Sequence, residues 1–254
     1  NEFDGVIDEV SMFNTALTLA EVQELFNDGV ALDATEHSKK GNLVGYWRND
    51  GISTWKDRSI SENLVLDGTN DYVVVADSDE LSFGESTSDL PFTIVAWAKM
   101  DDVSKGFTMV SKGISVPDNK EYEFYVGGDQ KLVLYLTDDS ESEQAGAYYN
   151  SALTDTNWVH YAGTYDGRGG ATCHAGITLY INGADVGGLN ALSSPDYVAM
   201  ESLGAEVWIG RAYSTYADGV IDQVAIYNVE LTAAEIASIY NAGRSVVDLR
   251  TVLP

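Results

Sequence analysis

From Gly41 to Gly210 the chain alternates short β-rich runs with Gly, Asp, Asn and Ser punctuation. The runs are 43–48 (LVGYWR), 71–76 (DYVVVA), 92–100 (FTIVAWAKM), 122–127 (YEFYVG), 131–137 (KLVLYLT), 158–165 (WVHYAGTY), 177–181 (ITLYI) and 206–210 (EVWIG). Many short strands separated by turn signals predict an antiparallel sandwich or barrel rather than a helical or parallel fold. Asn182-Gly183 has the residue types of a type I′ hairpin turn, which needs two left-handed residues in succession. Gly127-Gly128-Asp129 predicts a second hairpin.

The chain repeats itself at its two ends. Residues 3–29 (FDGVIDEVSMFNTALTLAEVQELFNDG) and 217–243 (ADGVIDQVAIYNVELTAAEIASIYNAG) align without a gap. Each copy reads as a strand followed by a short helix. Thr18 with Glu21, and Thr232 with Glu235, have capping-box spacing. Val22, Leu25 and Phe26 give one apolar helical face, mirrored by Ile236, Ile239 and Tyr240. Gly29 and Gly243 fall where a left-handed residue would stop each helix. Residues 1–31 are then either the last strand and helix of a preceding tandem copy or a strand and helix added to the main domain. Segment 32–42 reads as a linker, 43–245 as the main domain and 246–254 as a tail. The start, without Met or an apolar leader, reads as a cut within a longer protein.

Composition narrows the function. Hydrophobic residues make up 44% of the chain, enough for a packed core. The net charge of −26, from 40 acidic and 14 basic residues, opposes nucleic acid and anionic membranes as partners. No run approaches the roughly 18 apolar residues of a membrane span. The single Cys173 cannot form an internal disulfide, and its Gly-rich surroundings (168–176) lack zinc-site spacing.

Six segments in order, 67–75 (DGTNDYVVV), 91–100 (PFTIVAWAKM), 157–167 (NWVHYAGTYDG), 177–187 (ITLYINGADVG), 207–211 (VWIGR) and 217–236 (ADGVIDQVAIYNVELTAAEI), resemble the laminin G-like jelly-roll domains of bacterial and phage surface proteins. The resemblance covers roughly residues 43–243. It implies an all-β, concanavalin A-like antiparallel sandwich with one or two short helices, on an extracellular, cell-surface or virion-surface protein. Two departures stand out: the stretch joining 43–59 to 64–72 is short, which predicts rearranged early strands, and the Gly-rich insertion lengthens one hairpin.

Candidate sites follow from residue chemistry. Retaining glycosidases hold two carboxylates about 5–5.5 Å apart. The jelly-roll glucanases carry theirs as Glu-x-Asp-x-(x)-Glu, and no such string occurs. Glu121-Tyr-Glu123 is the nearest approach, with both carboxylates on one strand face. Three histidines, His37, His160 and His174, give no Ser/His/Asp set, and the resemblance gives His160 a structural role. Asp222 shares strand parity with the apolar Val220, Val224 and Ile226, as Asp8 does with Val6, Val10 and Met12. A carboxylate in such company needs a partner. The resemblance implies a structural calcium on Asp222, with Asp67 or the Gly68 carbonyl opposite; an Asp accepting backbone N–H bonds is the simpler alternative. Tyr148, Tyr149, Tyr213 and Tyr216 are the loop aromatics suited to a ligand surface. The sequence therefore reads as a non-catalytic module binding a glycan or cell-surface protein, stabilised by calcium and flanked by tandem domains. A structural spacer or assembly domain is the alternative, and a polysaccharide hydrolase or lyase the third reading.

Overall fold

The structure is a computed structural model, describing residues 10–26, 34–48, 56–57, 64–113 and 119–247. The chain divides into two compact units, Asn1–Glu62 and Asn63–Pro254. In the first, β1 (Val10–Phe13) is followed by α1 (Leu19–Phe26), and β2 (Leu43–Arg48) lies between β1 and β3 (Lys56–Asp57) in an antiparallel sheet. The run at 43–48 thus pairs with β1 rather than joining the sandwich, the rearrangement that the short connection predicts. The expected linker is structured where described, with 3-10 turns at Ala34–Glu36 and Lys40–Asn42. His37 between them is buried, in edge contact with Phe13 at 5.2 Å. Asp8 and Gly29 lie outside the described residues.

The second unit contains β4 (Leu64–Asp67), β5 (Val73–Val75), β6 (Phe92–Met100), β7 (Phe107–Lys112), β8 (Tyr122–Val126), β9 (Leu132–Asp138), β10 (Glu143–Tyr148) and β11 (Val159–Tyr165). It continues through β12 (Ile177–Ile181), β13 (Ala184–Asp185), β14 (Asn190–Leu192), β15 (Val207–Ile209), β16 (Arg211–Ala212), β17 (Thr215–Tyr216), β18 (Asp218–Tyr227) and α2 (Ala233–Val247). One sheet has seven strands, in the order β14-β10-β9-β8-β7-β15-β5, and the other six, β13-β12-β11-β6-β18-β4. All pairings are antiparallel, so the unit is a concanavalin A-like β-sandwich. Asn182 and Gly183 have φ of 52° and 77°, as the type I′ turn requires.

Facing side chains of both sheets fill the interior. Ile94, Ala96 and Ala98 of β6 meet Phe124 and Leu134 there, and Phe83 stacks on Phe92 at 4.6 Å. The other face of β6 is covered too: Val95, Ala162 and Tyr180 pack against Ile236 of α2, and Trp97 stacks on Tyr240 at 5.6 Å. Burial on both faces explains why β6 is continuously apolar instead of alternating.

Two sequence expectations need correction. Gly243 does not stop α2, which runs on to Val247; one glycine inside a helix costs only about 1 kcal/mol, and the following residues are compatible with helix. A β-bulge in β18 breaks the parity assumed for Asp222. Pairing with β6 shifts register between Asp222 and Ala225, with Gln223 left-handed at φ 49°. Ile221 faces the core and so do Val224 and Ile226 beyond the bulge, whereas Asp222 lies opposite Trp97 on the α2 face. The extra residue flips every later side chain.

Candidate functional site

The Gly-rich insertion builds one wall of a cleft of about 450 Å³ at the edge of the sandwich. Its base is clasped: the Asp166 N–H donates to the Gly176 carbonyl at 3.1 Å, and Arg168 donates from Nε and Nη2 to the Asp166 carboxylate. Gly169 and Gly170 take left-handed φ of 61° and 65°, which bends the chain into a short 3-10 segment, Gly170–Gly176. Cys173 on that segment is buried towards the core, and burial pushes its thiol up to about 12. The insertion is therefore a fixed wall.

His174 and Thr178 line the cleft on that side. Asp185 and Asn190 line the other, with the backbone of Gly187 and Gly188 between them. Asp185 Oδ1 accepts the Gly187 N–H at 2.7 Å, fixing the turn. Both glycines are left-handed, with open space where a Cβ would stand, so no side chain of theirs screens the backbone there. The Asn190 Nδ2 donates to the Tyr148 hydroxyl at 3.1 Å and to Asn150 Oδ1 at 2.9 Å, and Lys131 lies over the Tyr148 ring at 4.8 Å. A carboxylate, an amide, an imidazole and a hydroxyl thus surround one recess. It contains a single acidic side chain, so it lacks the carboxylate pair of glycoside hydrolysis.

Tyr148 thus borders the cleft, whereas its neighbour Tyr149 packs partly against the main core. Tyr213 and Tyr216 belong elsewhere, on the β16–β17 hairpin. There the Arg211 guanidinium lies 4.2 Å from the Trp208 ring centre, 4.6 Å from Tyr72 and 4.9 Å from Tyr216. The Tyr213 hydroxyl donates to Glu123, whose carboxyl is raised by burial and pulled back by that bond and by Lys120.

Glu121, the other half of the Glu-Tyr-Glu string, is sealed from solvent. It pairs with buried Lys112 at 3.4 Å and accepts bonds from Ser82 and the Leu203 N–H. Burial pushes it up to about 7, against the pull of Lys112. Asp89, Asp138 and Glu201 act likewise as buried acceptors: Asp89 takes the Tyr165 and Tyr197 hydroxyls and the Met200 N–H, and Asp138 the Val198 and Ala199 N–H groups. These carboxylates tie down the segment 194–206 and have no room for substrate. His160 is buried between Trp97 and Tyr240, and desolvation lowers it to about 4.

Asp67 pairs with Asp218, not Asp222, across β4 and β18. Its Oδ1 accepts the N–H groups of Thr69 and Asn70 at 2.8 and 3.2 Å, which lowers its pKa. Gly68 is bonded to the Ala217 carbonyl at 3.1 Å. At about 3.4 Å per strand residue, Asp222 lies roughly 14 Å along β18 from Asp218, too far for Asp67 and Asp222 to touch one ion. Asp222 Oδ1 accepts the Gln223 N–H at 2.8 Å within the bulge. Among the described residues, no three His, Cys, Asp or Glu side chains cluster as metal ligands.

The sequence profile of the laminin G-like family, described as the concanavalin A-like lectin/glucanases superfamily, matches residues 67–237. The chain belongs to this family. Among curated proteins, none matches the sequence. Similar solved folds include the receptor binding domain of botulinum neurotoxin D, 14% identical at a TM-score of 0.50, covering 75% of this chain and 50% of that one. The receptor binding domain of the C/D mosaic serotype is also 14% identical at 0.50, covering 74% and 48%. Domain 4 of AbnA, a GH43 extracellular arabinanase from Geobacillus stearothermophilus solved with arabinotriose, is 16% identical at 0.43, covering 69% and 87%. This chain thus spans about half the length of the neurotoxin domains, and the likeness to them is one of fold. Members of the laminin G-like family share that fold across lectins and glucanases, so function rests on the site. Sequence reading missed His174, Asp185 and Asn190 because they meet only through the hairpin edge. The lengthened hairpin and Gly187-Gly188 were the signals available. Among the described residues no helix is long and apolar enough to cross a membrane.

Proposed function

We propose that the laminin G-like unit is a non-catalytic glycan-binding module and that the cleft walled by the Gly-rich insertion holds the sugar. The carrying observation is the convergence of Asp185, Asn190, His174, Thr178 and the bare Gly187-Gly188 backbone on one recess beside Tyr148. Sugars present adjacent hydroxyls that both donate and accept. The Asp185 carboxylate and the Asn190 Oδ1 accept from such hydroxyls, the Thr178 hydroxyl can donate as well as accept, and a tyrosine rim suits the C–H face of a ring. The family resemblance adds a location outside the cell or on a virion surface. The test is a glycan array followed by calorimetry on the best ligand. Asp185→Ala and Asn190→Ala should each weaken binding at least tenfold, with melting temperature held. Binding unchanged in both variants, or no glycan bound at all, would sink the assignment.

Assembly is the second reading, favoured by Val73, Val74 and Val75, which are 37%, 45% and 39% exposed on β5 at the edge of the seven-stranded sheet. Exposed edge strands template pairing with another chain. Sedimentation that gives a monomer at high protein concentration would exclude self-pairing through that edge. Calcium belongs to the proposal at Asp222 or at Asp67, since one ion cannot reach both. A melting temperature raised by millimolar calcium over EDTA, and abolished by Asp222→Ala or by Asp67→Ala, assigns it. No rise in the unaltered protein removes calcium from the reading.

A further inference from the structure

In a chain of net charge −26, most described cations of the sandwich unit have found a carboxylate. Lys105 pairs with Asp218 at 3.1 Å, Lys112 with Asp77 at 2.5 Å, Lys131 with Asp129 at 3.6 Å and Arg168 with Asp166 at 2.5 Å. Arg211 and Lys120 differ. Among the described residues neither has a carboxylate oxygen within ion-pair distance, and each lies over tyrosine instead, Lys120 at 5.1 Å from the Tyr213 ring centre.

Arg211 is also held in place. Trp208, Tyr72 and Tyr216 surround its guanidinium, and Tyr216 is its cross-strand partner. Its Nε donates to the Tyr213 carbonyl at 2.8 Å, and its own carbonyl accepts the Ser111 hydroxyl at 2.7 Å. A guanidinium carries five N–H donors. One is used, leaving the Nη groups without an acceptor among the described residues. Glu123 does not serve, because Tyr213 and Lys120 already face it.

We infer that Arg211 anchors a second ligand site, distinct from the cleft, that takes a sugar bearing a carboxylate. The guanidinium supplies a planar fork for the carboxylate, pre-ordered by three rings so that little freedom is lost on binding. Tyr72 and Tyr216 are partly exposed and flank it, giving a sugar ring apolar contact beside the fork. The Arg211 fork suits one carboxylate, since Lys120 already faces Glu123. A phosphate run or an acidic peptide packs its charges more densely than a sugar with one carboxylate per ring, and the surrounding negative field opposes it more strongly.

Calorimetry with trigalacturonate and its fully methyl-esterified form tests this on the unaltered protein, since the ester removes the charge and keeps the sugar. The acid should bind at least tenfold more tightly, and the preference should fall with added salt. Arg211→Lys keeps the charge and loses the fork, so it should cut the affinity for the acid about tenfold. Asp185→Ala should leave the preference intact. Equal binding of acid and ester overturns the site in the unaltered protein, whatever Arg211→Lys does to folding. A preference surviving Arg211→Lys and Arg211→Gln would overturn it, as would one lost in Asp185→Ala, which would place the acid in the cleft. A triglutamate peptide binding as tightly as trigalacturonate would overturn its assignment to a sugar.

Discussion

In the N-terminal unit Thr18 and Glu21 close a capping box, with the Thr18 N–H donating to Glu21 Oε2 at 2.7 Å. In the C-terminal unit Thr232 and Glu235 close the same box, the corresponding distance being 2.8 Å. The helices that follow diverge. Val22 is 50% exposed on α1, whereas its counterpart Ile236 on α2 is fully buried. The first copy is held by polar contacts to the following segment, from His37 to the Glu21 carbonyl and from Ser38 to Glu24. The second lies on a broad apolar sheet face. A capping box is local and forms wherever its four residues occur, while burial depends on the surface that the rest of the chain provides.

That contrast can be broken most sharply at the aligned apolar pair. Ile236→Ala should cost about 2–5 kcal/mol in urea unfolding, and Val22→Ala no more than about 0.5 kcal/mol. Equal costs would mean that both helices are buried alike. The carboxylates of the two regions offer a second contrast, in sign. Glu21 and Glu235 are lowered by their Thr bonds, so their contribution is present at neutral pH and lost as pH falls through the folded value. Glu121, raised to about 7 by burial, does the opposite: its contribution is full below 4.5 and lost as pH rises to 7. The effect is on the order of 3 kcal/mol. Urea midpoints from pH 4.5 to 8 should show this decline in the unaltered protein relative to Glu121→Gln; parallel curves would refute it. Buried His160, lowered to about 4, loses its contribution as pH falls below 6.5, and the same comparison cancels it.

A third experiment sharpens how α2 is seated. A Cβ on Gly183 would meet the Tyr240 ring at 2.7 Å, and φ there is 77°. Gly183→Ala should cost about 1–3 kcal/mol and loosen hydrogen exchange in α2. Smallest are the caps themselves: Thr18→Ala and Thr232→Ala should each cost about 1 kcal/mol in thermal unfolding. A cost at Thr232 alone would show that the first box contributes nothing to its unit.

The sandwich was largely legible because alternation, turn chemistry and motif order are local signals. All eight expected runs contain strands. In the two sheets β4, β7, β10 and β14 were missed: β10 is EQAGAY, poor in β-branched residues, and is a strand because β9 and β14 pair with it. Both capping boxes were legible to the residue. The bulge at Gln223 was not, since no glycine marks it, and it carried the parity argument for Asp222 away. The site was legible only in part. Tyr148, Tyr213 and Tyr216 sit at interesting places; the partners Asn190 and Glu123 are set by register between strands far apart in sequence, and Arg211 by the β16–β17 hairpin.

The buried thiol of Cys173 makes the cleft wall a clock. A reagent in solvent reacts only with thiolate, which is scarce at a pKa of about 12 and shielded while the insertion is seated. Modification must therefore wait for the wall to lift. With reagent in enough excess to trap the thiol before the wall reseats, its rate counts those liftings, and any ligand that settles in the cleft should slow the count.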